Sequence, residues 1–405
     1  MRVLILGNDA RSHCIAWKLY QSEYVKKLYA YPGNPGIFSM CEKTSINSES
    51  FEEIYDFCRK KQINSVFVGP EKYLCDGIFN YLKERNINVF GPSKDAAKLE
   101  GSKSFAKNFM EKYGIPTASY SEFETKEKAL EYAEKTEYPI VVKYDGLAQG
   151  KGVAVCRKKD EAVNHIYSFK TGKFIIEEFL DGKEASLLCF TDGNTIKPMI
   201  YARDFKRAED NDKGLNTGGM GAFTNPDILP EHKQSVIKNI VEPTLEGIKS
   251  EEFEYTGVIY IGLIFTEKGP KVIEYNVRFG DPETQVLIPT LKTDLGLIMN
   301  KIFTRTLNDL KIEWKEKQAV CVVLASNGYP EKYETDKKIS INKSVKALVF
   351  MAGVKENHRS LYTSGGRVIS VVAMAKEREE ARRIAYQELN KVYFDNMYYR
   401  KDIAQ

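Results

Sequence analysis

The sequence has no pair of cysteines at CxxC spacing, and its seven cysteines, Cys14, Cys41, Cys58, Cys75, Cys156, Cys189 and Cys321, are scattered and odd in number. Zinc clusters and a disulfide framework therefore have little support. Reduced thiols acting as small apolar residues of a cytoplasmic protein are expected. No apolar run approaches the length that spans a bilayer. The opening MRVLILGNDARSH has a short apolar run without a small-residue cleavage site, so no signal peptide is expected. Charge of one sign is also scarce, with a formal net charge of +4 over 405 residues. That balance permits anionic substrates and predicts neither nucleic acid nor a membrane as partner. A dinucleotide oxidoreductase needs G-x-G-x-x-G after its first strand, and only Gly7 is present. The Walker pattern is missing too, because Gly152 follows Lys151 where Ser or Thr is required. Internal repeats and low-complexity tracts are absent.

What is present is a long chain of ordinary composition, 42% apolar and 29% charged, enough for two or three domains. Its first hundred residues alternate apolar runs (RVLIL, SVFVGPE, NVFGPS) with helical patterns (Ser12 to Tyr20, FEEIYDFCRKK, CDGIFNYLKERN). Such alternation predicts βαβ units and a parallel sheet. Ligands of these sheets bind beyond the strand C-termini, here Gly7-Asn8-Asp9, Pro32 to Gly36, Gly69-Pro70-Glu71 and Gly91-Pro92. The helical AAKLEGSKSFAKNFMEKYGIP then stops at Gly114 and Ile115-Pro116. PIVVKYDGLAQGKGVAVC reads as two strands around a glycine-rich loop, followed by a helix from about Lys159 to Phe169. KFIIEEFLDGKEASLLCFTDGNTIKPMIYARDF reads as antiparallel strands. KRAEDNDKGLNTGGMGAF reads as a polar loop too long for a simple connector. EHKQSVIKNIVEPTLEGIK is helical, and TGVIYIGLIFTEKGPKVIEYNVRF is a hairpin turning at Lys268-Gly269. A last block starts near Gln318 and ends with a helix from Lys376 to about Val392 and the tail YYRKDI.

Three stretches carry chemistry. VVKYDGLAQGKGV sets Lys143 at the end of an apolar strand and Gly146, Gly150 and Gly152 around Lys151. Glycines let backbone N–H groups approach phosphate oxygens and lysines neutralise them; a flexible turn with solvated lysines fits the same letters. Next, Glu177-Glu178-Phe179-Leu180 offers backbone groups for an adenine edge and Glu184 a carboxylate for ribose hydroxyls, or else an edge strand with exposed acids. The third stretch, VIEYNVRFGDPETQV, says more. Alternation places Glu274, Asn276 and Arg278 on one face and Ile273, Tyr275 and Val277 on the packed face. A carboxylate and an amide oxygen two residues apart can hold Mg²⁺. Arg278 can then contact a phosphoryl oxygen bidentately. Asp281 and Glu283 flank Pro282 at an expected helix start, where they orient an amine or hydroxyl substrate or interact with the helix dipole.

In order along the chain, PGNPG, GPE, LEGSKSFAKNFM, YGIPTA, VVKYDGLAQGKGV, IEEFLDGKEAS, LNTGGMGA, TGVIYIGL, VIEYNVRFGDPETQ, GGRV and YYRKDI resemble the phosphoribosylamine–glycine ligases of purine biosynthesis, within the ATP-grasp superfamily. The resemblance spans essentially the whole chain, and NTGGMGA and RFGDPETQ are its most specific pieces. It implies an α/β fold in three parts: an N-terminal parallel-sheet domain at 1-100, an ATP-grasp domain at 101-316 with a mobile lobe at about 117-189, and a C-terminal α/β domain at 317-405. It implies ATP-dependent joining of glycine to 5-phosphoribosylamine through glycyl phosphate, with Mg²⁺ or Mn²⁺. Partners would be these small molecules alone, and the chain would act as a monomer or weak homodimer. Positioning and charge neutralisation carry such chemistry, which suits a chain without a Ser-His-Asp or Cys-His constellation.

Carried over by position, Lys103, Lys143 and Lys151 match the family's ATP-phosphate lysines, with Gly150 and Gly152 in the same loop. Glu177, Glu178, Leu180 and Glu184 fall in its adenine and ribose segment, and Glu274 and Asn276 match its metal ligands. Arg278, Asp281 and Glu283 fall in its reaction-centre motif. Asp212 and the turn Asn216 to Gly221, with Thr217, Gly218 and Gly219, match the loop that closes on glycine and the γ-phosphate. Gly7, Asn34, Gly36 and Glu71 lie where the first domain meets the ribose phosphate, with Arg11 assisting. The family's DHKR reads Asp204-Phe205-Lys206-Arg207 here, leaving Asp204 and Lys206 as substrate ligands. Its further glycines and Arg-Glu-His are replaced by Asn8 to His13. That change brings Asp9 towards a phosphate site and leaves His13 expected on a helix surface. The GGRV turn, Gly365 to Val368, is expected to be structural.

Overall fold

The computed structural model describes residues 1–147, 152–170 and 172–405. Strands Arg2–Gly7, Lys27–Pro32, Ser65–Val68 and Asn88–Pro92 pair in parallel, as expected. Their crossovers include helices Ala10–Tyr20 and Phe51–Lys61. Val3, Leu4, Ile5 and Leu6 are all fully buried, because helices cover both faces of a parallel sheet. At its far edge Gly91 and Pro92 pair antiparallel with Thr256 and Tyr255. Gly257 makes that junction possible, since a Cβ there would lie 2.9 Å from the Gly91 amide nitrogen.

From strand Tyr255–Thr266 the ladder runs on through Lys183–Thr191, Ala202–Asp204, Gly221–Thr224, Gln318–Ala325, Arg367–Ala375 and Leu348–Met351. One sheet of 14 strands thus joins the first residues of the chain to its last block. Strand Gly269–Asn276 pairs with Tyr255–Thr266 as the expected hairpin, but with a slip: Leu263 faces Val272 and Gly262 faces Glu274, leaving Ile273 unmatched. The extra residue is a β-bulge. The buried face is therefore Val272, Tyr275 and Val277, and not the face expected to contain Ile273.

A separate antiparallel sheet contains Tyr120–Phe123, Phe174–Glu178, Ile140–Tyr144 and Val153–Cys156. Helices Lys126–Lys135 and Lys159–Tyr167 cover it with Ala129, Ala133, Ala162 and Ile166, giving it a core of its own. This sheet ends at Glu178. Strand Lys183–Thr191, most of which falls within the expected lobe at about 117-189, belongs to the long sheet. The polar stretch after Asp204 is a hairpin of Arg207–Glu209 and Lys213–Asn216 and not a loop. It turns through Asn211 and Asp212 at φ 60° and 53°, a left-handed conformation that Asn and Asp tolerate better than most residues. The last helix, Arg378–Leu389, stops short of Val392, which enters a two-residue strand.

Candidate active site

The carboxylate of Glu274 is the centre of the cleft. Burial alone would raise its pKa, but the charges of Lys206, Lys143, Lys103 and Arg278 hold it below the usual carboxylate range. No hydrogen bond or ion pair engages its oxygens among the described residues. Asn276 follows on the same face, and its amide oxygen accepts from Arg278 Nη2 at 3.1 Å. Arg278 also donates to Glu100 at 2.7 Å and Glu71 at 3.2 Å. The fork expected for a phosphoryl group is thus engaged by two carboxylates, and Glu71 is its partner. Sequence reading did not single out Glu100, whose only signal is its place in LEGSK beside Lys103. It accepts from the Val277 amide at 2.8 Å. Burial pushes its carboxyl up to about 7, against the pull of Arg278 and with the charge of Glu71 adding to the rise.

On the nucleotide side Lys143 is buried, 2.8 Å from Glu177, and donates to the carbonyl of the bulged Ile273 at 3.1 Å. Lys107, another residue that sequence reading passed over, lies 3.1 Å from the same Glu177 oxygen and donates to Thr117 Oγ1 at 2.8 Å. Burial lowers its ammonium to about 8. The Glu177 side chain is therefore an internal counter-ion for two buried lysines. Lys103 opens helix Lys103–Lys112; its amide donates to Asp145 at 2.5 Å and its ammonium to the Gly146 carbonyl at 2.9 Å. Glu178 holds Lys271 at 2.8 Å and the Ser119 amide at 3.0 Å, and Leu180 is half-buried in the connection that follows. The Gly152 carbonyl accepts from the Tyr144 amide at 2.7 Å; Gly150 and Lys151 lie outside the described residues.

Across the cleft Lys206 pairs with Glu184 at 3.2 Å. Burial disfavours its charge, yet Glu184, Asp204 and Glu274 hold its pKa above the usual value. Burial pushes Asp204 up to about 7; Lys206 opposes the rise, and the nearby acids Glu283, Glu184 and Glu274 add to it. Glu283 begins helix Glu283–Thr290 and accepts from Tyr260 at 3.0 Å and Ser186 at 3.4 Å. Asp281 accepts from Gln285 at 2.7 Å and pairs with Arg367 at 3.2 Å. Arg367, in the GGRV turn, also donates to the Gly218 carbonyl at 2.5 Å, so that turn reaches the site. Thr217 donates to the Lys206 carbonyl at 2.8 Å and accepts from the Gly219 amide at 2.9 Å. Gly219, at φ 109°, must be glycine, because a Cβ there would lie 2.4 Å from Pro282 Cδ. Asp212 is not joined to this group: its carboxylate, on a side chain 56% exposed, is 2.8 Å from Arg400.

The first-sheet side is more closed than expected. Asp9 caps helix Ala10–Tyr20 by accepting from the Ser12 amide at 2.7 Å and is paired with Arg11. Burial would raise its carboxyl, but Arg11 and Ser12 bring it to about 2. Arg11, expected to assist at a phosphate, is buried and donates to the Phe279 carbonyl at 2.8 Å. Asn34 donates to the carbonyls of Asn8 and Met351, each at 2.8 Å, and accepts from the Ile37 amide. His13 is buried and not on a helix surface. Its Nδ1 accepts from the Met351 amide at 2.8 Å, and burial holds the imidazole down at about 4. Gly7 and Gly36 are crowded by the chain itself: a Cβ at either would lie 2.1 Å from Ser12 Oγ or the His13 ring.

The family model described as phosphoribosylglycinamide synthetase, N domain, matches residues 1–100. The models of the ATP-grasp (A) domain and the C domain match residues 101–284 and 319–405. The chain belongs to the phosphoribosylglycinamide synthetase family. Among that family's curated members it is 44% identical over 414 residues to the phosphoribosylamine–glycine ligase of Clostridium acetobutylicum, covering 100% of both chains. It is 42% identical over 421 residues to that of Fusobacterium nucleatum, covering 100% of this chain and 98% of the other. The crystal structure of the Thermotoga maritima phosphoribosylamine–glycine ligase matches with a TM-score of 0.86 at 36% identity, covering 100% of both chains. A biotin carboxylase domain from Hydrogenobacter thermophilus, solved with MgADP and bicarbonate, shares the fold alone, with a TM-score of 0.70 at 17% identity over 98% of this chain and 91% of its own. As a member of the phosphoribosylglycinamide synthetase family, the chain is an ATP-dependent carboxylate–amine ligase of purine biosynthesis that forms a C–N bond. No helix of the described residues is long and apolar enough to cross a membrane.

Proposed function

We propose that the cleft around Glu274 joins glycine to 5-phosphoribosylamine through glycyl phosphate, with ATP lying against the small antiparallel sheet and a divalent ion on Glu274 and Asn276. One observation carries this reading: Glu274 is an ionised carboxylate without a partner among the described residues, in a cleft where four cations converge. Its oxygens and the amide oxygen of Asn276 form the hard donor set that Mg²⁺ prefers, and Mn²⁺ fits the same donors. When bound, such an ion neutralises and orients phosphate oxygens.

The chain's own residues do the rest. Lys103 and Lys143 neutralise transferring phosphate, joined by Lys151 from the glycine-rich loop with Gly150 and Gly152. The segment from Glu177 to Leu180 takes the adenine edge through its backbone, because its carboxylates are engaged. Glu184 takes the ribose. Arg278, oriented by Glu71 and Glu100, stands next to the metal ligands. Thr217, Gly218 and Gly219, packed on Asp281 and Pro282, hold the glycine carboxylate in line with the γ-phosphate. Asp204, Lys206 and Glu283 receive the amine. Gly7, Asn34, Gly36 and Glu71 frame the ribose phosphate beyond the strand ends, where open α/β sheets bind ligands. A carboxylate is a poor electrophile; phosphorylation turns its oxygen into a leaving group, and the amine then displaces phosphate to form the amide. In this reading 1-100, 101-316 and 317-405 are the functional parts of a cytoplasmic enzyme acting as a monomer or weak homodimer. Purified protein given ATP, Mg²⁺, glycine and freshly made phosphoribosylamine is expected to release ADP only when both substrates are present. ADP release that ignores glycine overturns the reading.

A further inference from the structure

The tail Tyr398 to Asp402 holds the largest fully buried charged side chain of the described residues, Arg400, 1% exposed. Its guanidinium donates to both oxygens of Asp402, at 2.8 and 2.6 Å. It also reaches out of the tail to Asp212 at 2.8 Å and to the Arg207 carbonyl at 3.1 Å, and lies 4.8 Å from the Phe205 ring centroid. Asp402 in turn accepts from the Asn211 amide at 2.8 Å, and the Lys401 amide donates to Asp210 at 2.7 Å. The tail therefore grips every residue of the turn between strands Arg207–Glu209 and Lys213–Asn216, including the two left-handed ones, Asn211 and Asp212. Strained turns persist only where their surroundings over-determine them. The second strand of this hairpin leads directly into Thr217–Gly219. A second arm from the tail reaches that loop: Tyr398 donates to the Tyr329 carbonyl at 2.6 Å, and the Tyr329 hydroxyl accepts from the Gly218 amide at 2.8 Å.

A guanidinium is costly to bury unless its donors are met. Two of this one's four hydrogen bonds lie within the tail and two on an element almost 200 residues away in sequence, so its burial fixes the one against the other. We propose that Arg400 is a positioning residue for the ligation: through Asp212, the Arg207 carbonyl and Asp402 it fixes the hairpin that sets Thr217–Gly219 against Pro282. The inference rests on reading that loop as the glycine side of the cleft, and it gives the C-terminal tail a part in the reaction without any contact with substrate.

Two measurements on the full chain decide it. Amide hydrogen exchange, read without substrates, is expected to quicken at least about tenfold over residues 207–219 in Arg400→Ala, and less in Arg400→Lys, which lacks the fork. Steady-state kinetics are expected to show kcat/KM for glycine falling by about 10–100-fold, with KM for ATP within about threefold of wild type. Asp212→Ala is expected to move both readouts the same way and to add nothing in the double variant. Its side chain is 56% exposed, so folding can spare it if Arg400→Ala does not fold. Unchanged exchange over 207–219 overturns the proposal, as does an equal loss for ATP and glycine. Should the wild type turn over without glycine, the ligase reading fails by itself, and the exchange contrast still decides whether the tail fixes the hairpin.

Discussion

Two sides of one cleft handle charge in opposite ways. At the end of strand Gly269–Asn276, Glu274 is held ionised by surrounding cations and none of the described residues donates to it. On the first-sheet side three polar side chains are already engaged: Asp9 by Arg11 and the Ser12 amide, Asn34 by two carbonyls and an amide, His13 by the Met351 amide. A polar group taken out of water without a partner is costly unless something else binds it. The Glu274 side thus leaves a charge unpaired among the described residues, as the proposed metal site needs, whereas Asp9, Asn34 and His13 hold the chain together. The replacement of glycines by Asn8 to His13 fits that division, because His13 ties the first sheet to the last block through the Met351 amide and Arg11 ties it to the Phe279 carbonyl.

The contrast can be broken in three places, taken from the largest effect. Glu274→Gln keeps the shape and removes the charge; ADP release at saturating substrates is expected to drop on the order of 10²–10³-fold. Full activity at limiting Mg²⁺ would show that the open carboxylate holds no ion. Glu177→Gln leaves Lys107 and Lys143 buried beside a neutral acceptor and is expected to cost about 3 kcal/mol in urea unfolding. A loss below about 1 kcal/mol would mean that the two lysines are served by their carbonyl and hydroxyl acceptors alone. The third and smallest effect is a pH slope from His13. Its folded pKa is about 4 against an unfolded value of 6.5, so the unfolded chain binds more protons between those limits. Its contribution to stability is complete above about pH 6.5 and is lost as pH falls towards 4, by at most about 1.4 kcal/mol per pH unit. His13→Gln is expected to flatten that part of the curve; an unchanged slope would assign it to other groups.

What could be read from the sequence was what lies close together in it. The parallel sheet showed because its strands are buried on both faces and appear as unbroken apolar runs, and the Glu274–Asn276 pair showed because strand alternation is a two-residue rule. The slip at Ile273 did not show, since a bulge depends on the facing strand at Gly262 and Leu263. The partners of Arg278 were equally hidden: Glu100 and Glu71 lie 178 and 207 residues away along the chain. Lys107 carried no signal because helical spacing marks it as one more surface lysine, and only the fold seats it beside Glu177. The hairpin at Arg207–Asn216 has no apolar period at all; the tail that holds it supplies what its own letters lack.

The long sheet has a bearing on how a bulky triphosphate gets in. Main-chain ladders stitch the first strands, the Glu274 hairpin and the last block into a single fabric, so prising these apart would tear many backbone hydrogen bonds at once. The small sheet around Lys143 lies outside that fabric. Its fastenings are of another kind: Lys107 on Glu177, Lys271 on Glu178, Lys143 on the Ile273 carbonyl, Lys103 on the Gly146 carbonyl and a single bridge from Thr117 to Val272. Under the proposed function, a nucleotide against that sheet would offer phosphate oxygens to Lys143 and Lys103 in place of the carbonyls they now meet, loosening side-chain contacts while the weave beneath stays whole.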